Sequence, residues 1–302
     1  MAYLIPLGLK YPARYTEIGR QEVAMSIDQK DFVASLGGVA VVGGMSSEAK
    51  ADALEDYLMQ QLNDALNAPT LGGDSAPAKR YPTVAEIEAQ IEKHPLRRGV
   101  GNLFYSSTGN VKRLPRMPEK PALADFFKLR FRATANHVLQ SANLAKKNGM
   151  SEEIILACLL HDTVQELIKV DHGWWCAQLY EPYVSEKVAF AIRHHQTLRF
   201  YEDKANGYAY PELYRQMFGE DYKPEPYVEA NYKFVRNHKW YIEPRMVTVN
   251  DLYAFQPGVN PQIEEFTDII GRHFKQPKEG LGFDNSPVAH MWRSIIWPDH
   301  PL

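Results

Sequence analysis

Apolar residues recur every three to four positions over much of the chain, in stretches separated by proline and glycine. The first such stretch spans about 47–67, where Ala53, Leu54, Tyr57, Leu58, Leu62 and Leu66 fall at helical spacing. Ser46 or Ser47 can cap this helix, and Glu48 sits in its first turn. Thr83 opens a second helix to about 94, with Val84, Ile87 and Ile91 on one face. Upstream, Val39-Ala40-Val41-Val42 lies between glycine pairs and reads as a buried turn or short strand; no phosphate-binding glycine loop follows it. Residues 68–82 and 95–120 are rich in proline and glycine and read as irregular.

The texture changes at Pro121. Helical periodicity covers about 122–148, ending at Asn148-Gly149, and resumes after Ser151 through Ile154, Ile155, Cys158 and Leu159. Further helices are expected over about 171–181, from Ser185 through Ile192, over 211–218, 227–238 and 261–275. The expected fold is therefore all-α: a helical domain over 121–275, an N-terminal extension of mixed structure over 1–120, and an irregular tail over 276–302 that wraps the surface.

Composition narrows the function classes. Of 302 residues, 45% are hydrophobic and 24% charged, which excludes a disordered or coiled-coil chain. The net charge of -3 gives no basic excess for nucleic acid or an anionic membrane. No apolar run is long enough to span a bilayer, and the apolar start at Met1–Leu9 lacks a basic leader. Two cysteines, Cys158 and Cys176, make no disulfide framework and read as reduced core residues. A cytoplasmic protein is expected.

The chemical signal lies in the histidines. The chain has ten, and five of them, His137, His161, His172, His194 and His195, fall within one stretch of helices. His161 is followed by Asp162 at the end of an apolar helix, and Asp251 lies further on. An apolar helix has little reason to end in an imidazole beside a carboxylate unless a metal ion gathers them. His137, His172 and His195 belong to separate helices, so a bundle core can bring them together. Imidazole and carboxylate without thiolate favour iron, manganese, zinc or nickel. Four imidazoles and two carboxylates suffice for two ions with free positions, with Asp162 as the candidate bridge. His94, His238, His273, His290 and His300 read as ordinary core or surface residues.

The order His137…His161-Asp162…Asp251 on consecutive helices resembles the HD-domain superfamily of metal-dependent phosphohydrolases. His172 and His195 match its dinuclear branch, which includes cyclic-dinucleotide phosphodiesterases and mixed-valent di-iron oxygenases. His137-Val138-Leu139-Gln140-Ser141-Ala142, and the stretch from His172 to His194-His195, are similar to the oxygenases of the phosphonate-cleaving and inositol oxygenase type. The resemblance covers about 121–255. It implies an HD-type bundle with His137, His161, Asp162 and Asp251 on one ion and His172 and His195 on the second, Asp162 bridging. The implied cofactor is Fe(II)/Fe(III), with Mn, Ni or Zn as the alternative. Arg199 falls where that group keeps a basic substrate-binding residue, His194 is a candidate substrate-facing donor, and Gln165 stands where HD proteins often carry Lys or His. Two positions depart from the phosphonate enzymes, which carry Tyr and Glu where this chain has Phe127 and Arg130.

Asp171, Glu166 and Gln140 are candidates to hold the outer nitrogens of the imidazoles. Arg132 and Lys128 are weaker anion-binding candidates. The expected activity is dioxygen-dependent oxidation of a small polar, anionic substrate; the alternative is metal-dependent hydrolysis of a phosphate ester or nucleotide. A non-catalytic metal scaffold needs fewer ligands than the sequence supplies. Homo-oligomerisation through residues 1–120 completes the set of expected partners, with no nucleic acid and no membrane among them.

Overall fold

The computed structural model describes residues 46–67, 115–131, 134–168, 171–219 and 222–297. These form eleven α-helices and no β-strand, with one isolated bridge between Asp203 and Tyr208, so the described chain is all-α as expected. The expected helix over 83–94, the glycine-flanked run at 37–44 and Arg132 lie outside the described residues. No described helix is long and apolar enough to cross a membrane.

Helix α1 (Ser47–Asn67) begins where expected, with Ser46 Oγ accepting from the Ala49 amide at 3.2 Å. The region expected as one helix over 122–148 is two, α2 (Leu123–Leu129) and α3 (Ala135–Lys147). The break has a visible cause. Arg130 is buried, and its guanidinium donates to the Ile295, Ile296, Pro115 and Leu129 carbonyls. Placing that fork on the far end of the chain turns the backbone out of helical geometry. Helix α4 (Glu152–Leu160) is capped by Ser151, is apolar on every side, and is buried from Ile154 to Leu160.

A 3₁₀ turn (Thr163–Glu166) leads to α5 (His172–Tyr180), and Ser185 caps α6 (Glu186–Leu198). Then follow α7 (Glu212–Phe218), α8 (Pro226–Arg236), α9 (Ile242–Leu252), α10 (Thr267–His273) and α11 (Ala289–Ile296). Helix α9 packs on α3, α4 and α6, α4 also packs on α3 and α6, and α5 lies along α6. The α5–α6 approach depends on Gly173. A Cβ there would lie 2.8 Å from Gln196 Oε1 and 2.9 Å from the Ile192 carbonyl.

The tail departs from expectation. Residues 276–297 do not simply wrap the surface, because α11 inserts Trp292 into the main core at 0% exposure. Trp292 meets Phe126 edge-on at 4.6 Å and also contacts Phe131, Tyr180 and Tyr183. The proline-rich composition of the tail concealed an eight-residue helix that tertiary burial stabilises. Helix α1 packs apart from this core, in a satellite cluster of Ala51, Leu54, Leu58 and Met59 with Phe200, Tyr214, Val228 and Phe255.

Trp292→Ala is expected to destabilise the fold by about 3–5 kcal/mol, the usual cost of emptying a large aromatic site. Urea unfolding followed by far-UV circular dichroism measures it. A loss below about 1 kcal/mol would mean that α11 is not part of the cooperative core.

Candidate metal centre

Six residues from five segments converge at the centre of the bundle. His137 comes from the first turn of α3. His161 and Asp162 follow α4, whose apolar body fixes where they emerge. His172 is the first residue of α5, His195 lies in the last turn of α6, and Asp251 lies in the last turn of α9. All six are buried, none more than 5% exposed.

The imidazole orientation comes from local backbone. His161 Nδ1 lies 2.7 Å from the Cys158 carbonyl, and His195 Nδ1 lies 2.6 Å from the Ile192 carbonyl, each three residues back on its own helix. His137 Nδ1 faces the Ala254 carbonyl at 3.3 Å. Each contact turns Nε2 inward and selects the tautomer that a metal ligand needs. Gln140 holds no imidazole directly, contrary to expectation. Its amide donates to the Gln256 and Val259 carbonyls and accepts from the Gln256 amide, which pins the loop that carries Ala254.

The donor atoms fall into two groups joined by one carboxylate. Asp162 Oδ2 and Asp251 Oδ1 lie 3.2 and 3.0 Å from His137 Nε2, and 3.4 and 3.5 Å from His161 Nε2. Asp162 Oδ1 lies 3.0 Å from His172 Nε2 and 3.4 Å from His195 Nε2. Donors bound at about 2.1 Å to one ion stand about 3.0 Å apart in octahedral and about 3.4 Å apart in tetrahedral geometry. The observed spacings are those of ligand sets. Hydrogen bonding does not account for them: His137 Nε2, His161 Nε2, His195 Nε2, Asp251 Oδ1 and both Asp162 oxygens are buried without a partner of suitable geometry. These buried groups could hold a metal ion.

The electrostatics agree. Burial works to lower the basicity of His137, but the carboxylates of Asp162 and Asp251 beside its Nε2 outweigh it and raise its pKa to about 10. Burial likewise opposes His172, where the charge of Asp162, then those of Asp52 and Glu55, raise it to about 10. Burial opposes the ionisation of Asp162, yet His161 and His172 hold its carboxyl well below the usual range. The site stabilises positive charge around a buried carboxylate.

Two acidic residues that the sequence reading missed stand beside the second group. Asp52 and Glu55 project from α1 and are 4% and 5% exposed. Asp52, Glu55 and His172 also present donor atoms close enough to share an ion. The signal was available, since Glu55 sits within the apolar stripe Ala51, Leu54, Leu58. An acidic residue on a buried helix face calls for a partner.

Other expected site residues are placed differently. Arg199 does not face an open substrate site: it is 2% exposed and paired with Asp52 and Glu55. His194 turns away from the centre. It packs on Phe190 and Phe234 and lines a separate cavity of about 930 Å³ with Trp174, Tyr227 and Trp240. Burial and then the Arg193 charge push its pKa down to about 4. Adjacent helical residues point about 100° apart, so with His195 facing the metal groups His194 cannot. Gln165 contacts the site only through its amide, 3.4 Å from His172 Nδ1. Asp171 is an exposed α5 N-cap with φ 54°, and holds no ligand. The Glu166 side chain lies outside the described residues.

Phe127 and Arg130 face the core and the α11 carbonyls, and Lys128 pairs with Glu264 at the surface. His273 pairs with Glu152, His238 stacks on Phe190 and His290 is exposed, as ordinary histidines do; His94 and His300 lie outside the described residues. Cys158 and Cys176 are free and buried, and burial raises both thiols to about 12.

Asp162→Ala is expected to abolish binding at both positions, because the lost carboxylate offsets both cations. His195→Ala should remove mainly one. Metal analysis after equilibrium dialysis checks this, and one full equivalent retained in Asp162→Ala would remove the bridge. Metal binding is also expected to release protons. His137 and His172 remain protonated up to about pH 10 without a cation, and ligation needs the Nε2 lone pair. Apparent affinity therefore rises from pH 6 to pH 9, with about two protons released per filled site pair. Calorimetry in buffers of different ionisation enthalpy counts them. No family model, curated protein or solved structure matches this chain.

Proposed function

We propose that the chain is a di-metal enzyme of the HD-domain type that uses dioxygen to oxidise a small polar substrate. The observation that supports it most is the division of the donors by Asp162. One side has His137, His161 and Asp251, while the other has His172 and His195, with Asp52 and Glu55 beside His172. The second position is therefore the one with room for substrate and oxidant. Two iron ions held there would supply redox and Lewis-acid chemistry at neighbouring free positions; manganese, nickel or zinc fits the same donors less well for oxidation.

The protein's own contributions follow from its geometry. Asp162 fixes the separation of the two positions. The carbonyls of Cys158, Ile192 and Ala254 keep the imidazoles aimed inward. The buried setting excludes bulk water, which protects a reactive oxidation from side reactions. A cavity of about 30 Å³ borders Asp251 and Glu55 and is walled mainly by Leu54, Leu58, Tyr208, Tyr214 and Phe255. That volume suits one diatomic molecule or one water.

The surroundings weigh against the hydrolase alternative. A phosphate ester brings two negative charges, and hydrolases of this kind meet them with cations. Here Gln165 is neutral, and Arg199 is already paired with two carboxylates. A substrate with a single anionic group, held by Arg199 once Asp52 and Glu55 release it, fits this charge balance better.

Iron-loaded protein is expected to consume dioxygen with small hydroxylated acids, phosphonates or polyols and to leave phosphate esters intact. Oxygen-electrode traces beside anaerobic controls decide it. Phosphate-ester turnover indifferent to oxygen would transfer the protein to the hydrolase reading.

A further inference from the structure

We infer that the cavity of about 930 Å³ between α5 and α8 is a binding site for a small organic cation, a methylated ammonium ion on a free molecule. The inference is independent of the di-metal reading. Helix α6 packs against both α5 and α8, and its Phe190, Arg193 and His194 line the gap between them. Trp174 and Trp175 line it from α5, Tyr227 and Phe234 from α8. These rings are four of the seven large apolar side chains exposed among the described residues. Single exposed rings need no explanation, but their concentration around one cavity marks a site of contact. The volume is that of a small-molecule pocket, for which about 300–1,000 Å³ is usual.

Charge decides which molecule fits. Among the described lining residues, Glu48, Asp171, Glu181 and Glu186 are acidic and Arg193 is the one permanent cation. Arg193 Nη2 lies 3.6 Å from Glu181 Oε2, so that pair cancels. His194 and His238 are neutral near pH 7, since burial and then Arg193 push His194 down to about 4, and burial and then Lys239 lower His238. Beyond the lining, Lys239 lies 4.6 Å from the centroid of the Trp240 ring, which takes that ring out of the count. Arg199 offsets part of the Glu48 charge, and the protonated His172 is matched by Asp162, Asp52 and Glu55. The balance at the cavity stays negative beside open aromatic faces. Such a wall attracts a cation through the ring quadrupoles as well as through the carboxylates.

Two features narrow the cation. Glu48 is the buried carboxylate of the set, and it already accepts from the Tyr227 hydroxyl at 3.2 Å, a bond that ties α8 to α1 at the cavity. A primary ammonium brings three donors that need acceptors, whereas methyl groups on nitrogen pack against rings and need none. The other three carboxylates are exposed and would repel the phosphate that accompanies choline in a lipid headgroup, so the ligand carries no phosphate. The same carboxylates weigh against a protein partner, because the centres of protein interfaces are depleted of charge.

The test is calorimetry of the full-length protein with choline and with 3,3-dimethylbutan-1-ol, the neutral isostere that has carbon in place of nitrogen. It is run at pH 8, where Glu48, lifted by burial to about 7 with Arg199, Asp171, Asp52 and Tyr227 around it, is ionised. Choline binds saturably, and the isostere binds about tenfold or more weakly. Phe234→Ala and Trp174→Ala each weaken choline about two- to fivefold, and Glu48→Gln weakens it about tenfold. Phe234 and Trp174 are exposed, so these two variants keep the fold even if Glu48→Gln does not, and circular dichroism checks it. No saturable choline binding, equal binding of the two probes, or unchanged affinity in Phe234→Ala and Trp174→Ala would each overturn the inference. Binding confined to phosphatidylcholine vesicles would overturn it in favour of a lipid surface. A dimer that Phe234→Ala breaks and choline does not would overturn it in favour of a second copy of the chain.

Discussion

The Asp162 carboxylate is the constraint on which the rest of this structure turns. It is wholly buried, and four imidazoles converge on its two oxygens, two on each. A buried ionised carboxylate costs several kcal/mol unless positive charge surrounds it. The bundle supplies protons or metal ions to meet that requirement. Helices α3, α4, α5 and α6 each deliver one histidine, and α9 delivers a second carboxylate. Their packing angles and lengths therefore serve one point in space.

The same requirement explains the less regular features. The left-handed turn at Asp171 and the absence of a side chain at Gly173 let α5 start close enough to α6 for His172 and His195 to face the same oxygen. Gln140, remote from any donor atom, acts by holding the loop whose Ala254 carbonyl orients His137. Tyr208 and Arg245 brace the end of α6, since Tyr208 donates to the Arg199 carbonyl and Arg245 to the Leu198 and Tyr201 carbonyls. These contacts keep Arg199 within reach of α1.

Helix α1 alters the picture of the site more than any other element. Without it, the second donor group would be a half-filled pocket beside a buried arginine. With it, Arg199 is neutralised and the pocket is closed by carboxylates. The arrangement gives opposite roles to two parts of the chain. The main core carries the converging imidazoles and carboxylates, while α1 packs in the satellite cluster.

Much of this was present in the order of residues. Apolar periodicity gave α4 to α8 and α10 but neither α9, which carries Asp251, nor α11, and histidines spaced on separate helices, with His161-Asp162 after an apolar run, pointed to the six residues that converge at the centre. Those signals are local, or depend only on counting which helices carry imidazoles. The split between α2 and α3, the burial of α11, the outward turn of His194 and the pairing of Arg199 were not legible. Three of these are decided by a partner far along the chain: Arg130 by the carbonyls of Ile295 and Ile296, Trp292 by Phe126, Arg199 by Asp52 and Glu55, while His194 turns outward because its helix neighbour His195 faces inward. Sequence specifies which groups need compensation when buried, but only the packed chain decides which partner, far along the chain, provides it; for Arg199 the separations are 147 and 144 residues.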